Sequence, residues 1–198
     1  MLCKKLAFMC VPLFISGAAL AGPPASVLAA PPVTQQAETP ETAAKLNEAF
    51  SVLHVVVQRG TEFSNMAEKR AKSDLVKNYA SAITSANPKA DEKLLRVAKQ
   101  AGITVADLDP KTEQGKSLLD RMKAESVLLG SLEGDAWDKE YMVLVTNTQQ
   151  SVIRMLKTHR ALAKDKDVKL FLGDMITMVE KRLTNAQDVM AKVFGDKV

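Results

Sequence analysis

From residue 41 to the end of this chain, apolar side chains recur at steps of three and four, the period of an amphipathic helix. Leu46, Phe50, Leu53, Val57, Gly60, Phe63 and Ala67 form the first stripe. Thr39-Pro40-Glu41 opens it, with proline suited to the first helical position. A second stripe begins at Ser73-Asp74 and carries Leu75, Tyr79, Ala82, Ile83 and Ala86. It resumes as Ala90, Leu94, Val97 and Ala101 and stops at Gly102, a good C′ glycine. Between the halves stands Asn87-Pro88. An internal proline costs about 3 kcal/mol, so a kink or short break is expected, with Asn87 as a new N-cap and Pro88 at N1.

Ile103 to Lys111 reads as a loop, Thr112 to Leu129 as a shorter helix carrying Leu118, Leu119 and Met122, and Gly130 to Gly134 as a turn. A long helix then runs from Ala136 to about Ala163, with Asp135 expected as N-cap and Asp138 in the first turn, near the positive end of the helix dipole. Its stripe is Trp137, Tyr141, Val145, Thr148, Val152, Met155 and Leu162. Lys164-Asp165-Lys166-Asp167 is a polar turn in which Asp167 can cap the last helix. There the stripe reads Val168, Phe171, Met175, Val179, Arg182, Ala186, Val189 and Val193. No strand-like run is bounded by turn signals. The expectation is an all-α antiparallel four-helix bundle with one additional short helix.

The first forty residues follow another pattern. Lys4 and Lys5 precede the apolar run Leu6 to Ala21, which ends in the small-x-small triplet Ala19-Leu20-Ala21. Its sixteen residues fall short of the about 20 that a membrane span needs. Residues 1–21 therefore read as a cleaved secretory signal, with an uncleaved anchor as the alternative and a second possible cut after Ala29 or Ala30. Residues 22–40, rich in proline and alanine, read as a disordered linker, and 41–198 as one bundle domain. Such a leader places the protein outside the cytoplasm, in the periplasm or cell envelope.

Cleavage changes the chemistry that is available. It removes Cys3 and Cys10, the two cysteines of the chain, and with them any disulfide, thiolate metal site or cysteine nucleophile. Lys4 and Lys5 supply half of the net charge of +4, so the basic balance is partly a property of the leader. A near-neutral mature chain with few aromatics argues against nucleic acid as a partner. His54 and His159 are the two histidines, and neither has a carboxylate at helical spacing to complete a site. His159 falls near the inward stripe and His54 on the flank of the first helix. No Glu-x-x-His occurs, as di-iron chemistry in a bundle requires, and no Gly-x-Ser-x-Gly. Met175 and Met178 could hold Cu(I) as thioethers, but methionine at this spacing is ordinary core filler. Lysine-rich turns interleave with acids and read as solvated surface.

The order of landmarks resembles the exported bacterial domain-of-unknown-function family 4142, a ferritin-like bundle often labelled an outer membrane protein. Phe50…Glu62…Ala67, Leu75-Val76-Lys77-Asn78-Tyr79-Ala80, Leu94 to Gly102-Ile103, the box Trp137-Asp138-Lys139-Glu140-Tyr141 and Leu183…Ala186 carry the resemblance. It spans nearly all of residues 45 to 192, and the box is its most specific element. The family pattern implies histidines late in the second helix, eight residues after the box tyrosine, and just before Leu183. These positions read Asn87, Gln149 and Arg182 here. An acidic residue implied just before the Glu62 turn reads Gly60.

None of the replacements is a usual metal ligand, and arginine repels a cation. The candidate site is therefore an interior polar cluster of Asn87, Gln149 and Arg182, joined by Glu62, that fixes register or binds a small anion. A second reading leaves the Arg182 stem packed in the bundle with its head solvated or salt-bridged. The sequence thus points to a non-catalytic exported bundle of the cell envelope, without a cofactor, that binds an unidentified protein or small ligand. It would touch the membrane only through an uncleaved leader. The competing class is a ferritin-like metal-binding or redox protein, implied by the resemblance alone.

Overall fold

Thr39 opens the first helix as expected, its hydroxyl accepting from the N–H of Thr42 at 3.3 Å while Pro40 takes the first turn. The structure, a computed structural model, describes residues 38–195. The expected signal sequence and nearly all of the expected linker lie outside the described residues. Five helices follow one another: α1 (Pro40–Arg70), α2 (Asp74–Gln100), α3 (Glu113–Ser131), α4 (Gly134–Leu162) and α5 (Lys166–Phe194). Among the described residues there is no strand. Nor is any helix there long and apolar enough to cross a membrane.

The helix ends depart from expectation in instructive ways. The α2 terminus closes as a Schellman motif, with Gly102 at φ 68° and the Ile103 N–H bonded to the Ala98 carbonyl at 2.8 Å. At the same helix's start, Tyr79 and Ile83 are buried as expected and Val76 and Ala80 join them, whereas Leu75 and Ala82 of the expected stripe face solvent. No break occurs at Pro88, and α2 runs through it. Pro88 points outward, so the carbonyl it leaves without a donor lies on the solvent side, and Asn87 turns inward rather than capping a new helix. Glu133, not Asp135, holds the α4 N-cap, because Gly134 at φ 59° turns the chain there. The last helix is capped by Asp165, which accepts from the N–H groups of Asp167 and Val168 at 2.8 and 2.9 Å. Asp167 sits in the first turn instead.

Helix α1 packs on α2 and α4, and α5 packs on the same two helices. Arg70, at the end of α1, donates to the Leu132 carbonyl just before α4, and Lys93 of α2 pairs with Asp174 of α5 at 2.8 Å. The core is divided in two. One cluster gathers Phe50, Leu53, Leu94, Leu156, Phe171 and Leu172; the other holds Phe63, Val76, Tyr79, Leu129, Trp137 and Tyr141. Helix α3 is held more loosely, by Leu129 in the second cluster and by Arg59 of α1, which donates to Ser126 and the Met122 carbonyl. Val127 and Leu128 of α3 stay exposed.

The Trp137–Tyr141 box sits where α1, α2 and α4 meet. Trp137 stacks on Tyr141 with ring centroids 5.4 Å apart, and the Arg70 guanidinium lies 5.8 Å over the indole. The Tyr141 hydroxyl shares a 3.0 Å hydrogen bond with Ser64. Asp138, fully buried, accepts from the backbone N–H groups of Lys72 and Ser73 at 2.9 and 2.7 Å. Its carboxylate therefore serves the α1–α2 turn and the start of α2, not its own helix. Charge-assisted hydrogen bonds of this kind contribute about 1.5–3 kcal/mol each. Asp138→Ala should lower the unfolding free energy in urea by about 2–4 kcal/mol, and Asp138→Asn by less. A change under about 0.5 kcal/mol for the alanine variant would assign the box another role.

Candidate ligand-binding cavity

Between the two apolar clusters lies a polar layer, and each long helix contributes to it. On α1, Gly60 leaves the helix backbone open: a Cβ there would come within 3.2 Å of the Asn87 amide nitrogen. That opening lets Asn87 of α2 donate to the Val57 carbonyl at 3.0 Å. The Asn87 carbonyl oxygen accepts from Nη1 of Arg182 on α5 at 2.9 Å. Gln149 of α4 donates through Nε2 to the Tyr79 hydroxyl of α2. Asn87, Gln149 and Arg182 thus line one cavity of about 100 Å³, walled by Leu53, Phe63, Ile83, Leu144, Met175 and Val179. Arg121, Met122 and Glu125 of α3 close one side. A second cavity of about 370 Å³ lies under α3 and shares Val56, Arg121, Thr148 and Val152 with the first.

Glu62 stands apart from this group. It is exposed and paired with Arg59 on the surface of α1. Two residues on from Gly60, it lies on a different face of the helix, because i and i+2 positions do not look the same way. Arg182 has its head in the layer, hydrogen-bonded to Asn87 and without a carboxylate partner among the described residues. Its Nη2 and the Gln149 Oε1 are both buried without a hydrogen-bond partner. A buried polar atom left unpaired costs about 1–3 kcal/mol, so the layer exposes one donor and one acceptor at real expense.

Burial dominates the electrostatics here. It pulls the Arg182 guanidinium below its ordinary value, with the Tyr79 hydroxyl opposing. It pushes Tyr79 up, against the hydrogen bond from Gln149 and the charge of Arg182. Tyr141 is pushed up more strongly by burial, against its bond with Ser64. As for metals, Gly60, Asn87, Gln149 and Arg182 offer two amides and a guanidinium where the family pattern implies an acid and three histidines. Among the described residues no three His, Cys, Asp or Glu side chains converge.

Sequence reasoning missed one pair. His54 Nδ1 lies 2.6 Å from Asp91 Oδ1 of α2, with its Nε2 against Gln58 at 3.0 Å. Both ring nitrogens of His54 are thus engaged, one by Asp91 and the other by Gln58. The partners lie on different helices, where periodicity along one helix gives no signal. His159 bonds its own helix through the Met155 carbonyl at 2.8 Å.

The chain has two tyrosines, both buried in this region and both raised. A raised folded-state value means stability that is full below the ordinary tyrosine value of about 10 and lost as pH climbs above it. Alkaline titration should therefore show no phenolate absorbance near pH 10 and then both phenols ionising together as helical circular dichroism disappears. One equivalent of phenolate near pH 10 in an intact bundle would contradict the burial of Tyr79.

No curated protein and no solved structure matches the chain. A family model described as a domain of unknown function (DUF4142) matches residues 31–189, taking in α1 to α4 and most of α5. The chain belongs to the DUF4142 family of domains of unknown function.

Proposed function

We propose that this is a non-catalytic exported protein of the cell envelope whose helical bundle binds a small ligand between its helices. The arrangement we infer is ferritin-like: four long helices with antiparallel neighbours, and α3 carried in the long crossover from α2 to α4. The observation that carries the reading is the cavity beneath α3, with apolar walls and three buried polar atoms, Arg59 Nε, Gln149 Oε1 and Arg182 Nη2, that nothing in the described chain satisfies. Concave, mostly apolar sites with a few convergent polar groups are the usual form of small-molecule sites. Export rests on the leader pattern of residues 1–21. The competing reading, a metal-binding or redox protein, draws no support from the amides and guanidinium at the cavity.

A fluorescent apolar probe such as N-phenyl-1-naphthylamine should bind the purified protein with one-site stoichiometry. Val145, half-buried on the cavity wall, is the place to block it. Val145→Trp should weaken the probe about tenfold or more while leaving the melting temperature within a few degrees. Equal binding by both proteins would remove the cavity from the account. Export has its own check: osmotic shock should release a protein whose first residue is Gly22, or lies just after Ala29 or Ala30.

A further inference from the structure

Three arginines line the cavity, and two of them are neutralised. Arg59 is paired with Glu62, and Arg121 lies 3.0 Å from Glu125. Arg182 has no such partner, so the interior carries one uncompensated positive charge with an unpaired Nη2 donor. Gln149, more than nine-tenths buried, adds an unpaired acceptor to the same wall. A buried charge without a counter-charge is costly, and a single negative group would relieve it. A dianion would leave charge over in the apolar interior.

We propose that the cavity takes an amphipathic monocarboxylate bearing a hydrogen-bond donor near its head, such as a 3-hydroxy fatty acid. The carboxylate accepts from Arg182 Nη2, and the neighbouring hydroxyl donates to Gln149 Oε1. An apolar cavity of about 150 Å³ holds benzene. The inner space of about 100 Å³ therefore suits the head and the first carbons. The tail continues into the space of about 370 Å³ under α3, past Val56 and Val152. This assignment rests on the ligand-binding reading above and adds the chemistry of the ligand to it.

Calorimetric titration of the purified protein with 3-hydroxydecanoate, decanoate, 1-decanol and decyl phosphate tests the two claims separately. Decanoate should bind about tenfold or more tighter than decanol, the worth of one charge-assisted hydrogen bond. The 3-hydroxy acid should bind tighter again, and decyl phosphate more weakly than decanoate. Arg182→Met should remove the preference for decanoate over decanol, bringing the ratio of their affinities to about one. Gln149→Leu should abolish the gain from the hydroxyl. Should Arg182→Met fail to fold, the four ligands on the unaltered protein still decide. Decanol binding as tightly as decanoate overturns the carboxylate assignment while sparing the cavity. Decyl phosphate matching decanoate overturns the choice of a monoanion. Binding of none of the four overturns the cavity reading and this assignment with it.

Discussion

Two backbone N–H groups directed at one buried carboxylate set the geometry on which the rest of this bundle depends. Ser73 occupies the α2 N-cap but makes no side-chain capping bond of its own. The N–H groups of Lys72 and Ser73 turn instead to Asp138, more than sixty residues away on α4. A need that helices ordinarily meet locally is met here by a distant helix. The consequence is register. With Asp138 fixed against the α1–α2 turn, Tyr141 reaches Ser64 one turn further on, and Gln149 reaches Tyr79 two turns beyond that. Sliding α4 by a single turn would leave a buried carboxylate without donors, a penalty several times the usual worth of a surface contact.

The polar layer lies at the far end of that register and works against stability. Apolar residues at Asn87, Gln149 and Arg182 would join the two core clusters into one. As built, the layer carries an unpaired donor, an unpaired acceptor and an unbalanced charge. Its parts also depend on one another. Asn87 can reach the Val57 carbonyl only because Gly60 has no side chain, and Asn87 in turn holds the Arg182 head inward. A larger residue at position 60 would press on the Asn87 amide and so disturb Arg182 through it. Interiors that retain such costs commonly use them for specificity or binding.

Much of the fold was legible because burial on a helix repeats at a period that a single sequence displays. The stripe from Leu46 to Ala67 is buried as read apart from half-buried Gly60, and Gly102 ends α2 as read. What failed was whatever depends on a second helix. Pro88 looked like a break because its local cost is large, yet tertiary packing on the Asn87 face and an outward proline keep α2 continuous. Asp138 looked like a dipole partner of its own helix because the acceptor role it plays is set by residues 72 and 73. The gathering of Asn87, Gln149 and Arg182 was readable from the positions at which the family resemblance implies histidines, whereas Glu62, joined to them there, lies on another face.

The same division explains why belonging to the family leaves the function open. The box that makes the chain recognisable acts at the α1–α2 turn, through Trp137 stacking, the Asp138 carboxylate and the Tyr141 hydroxyl. Any sequence that keeps these contacts keeps the register of its helices. The cavity lies two turns along α4, where Gln149 contributes nothing to the box and the box contributes only position. Chemistry in the middle layer can therefore change while the scaffold is held constant, provided the layer's residues change together. Gly60, Asn87 and Arg182 are linked to one another in just that way, so any change of interior chemistry falls on the layer and leaves the box untouched.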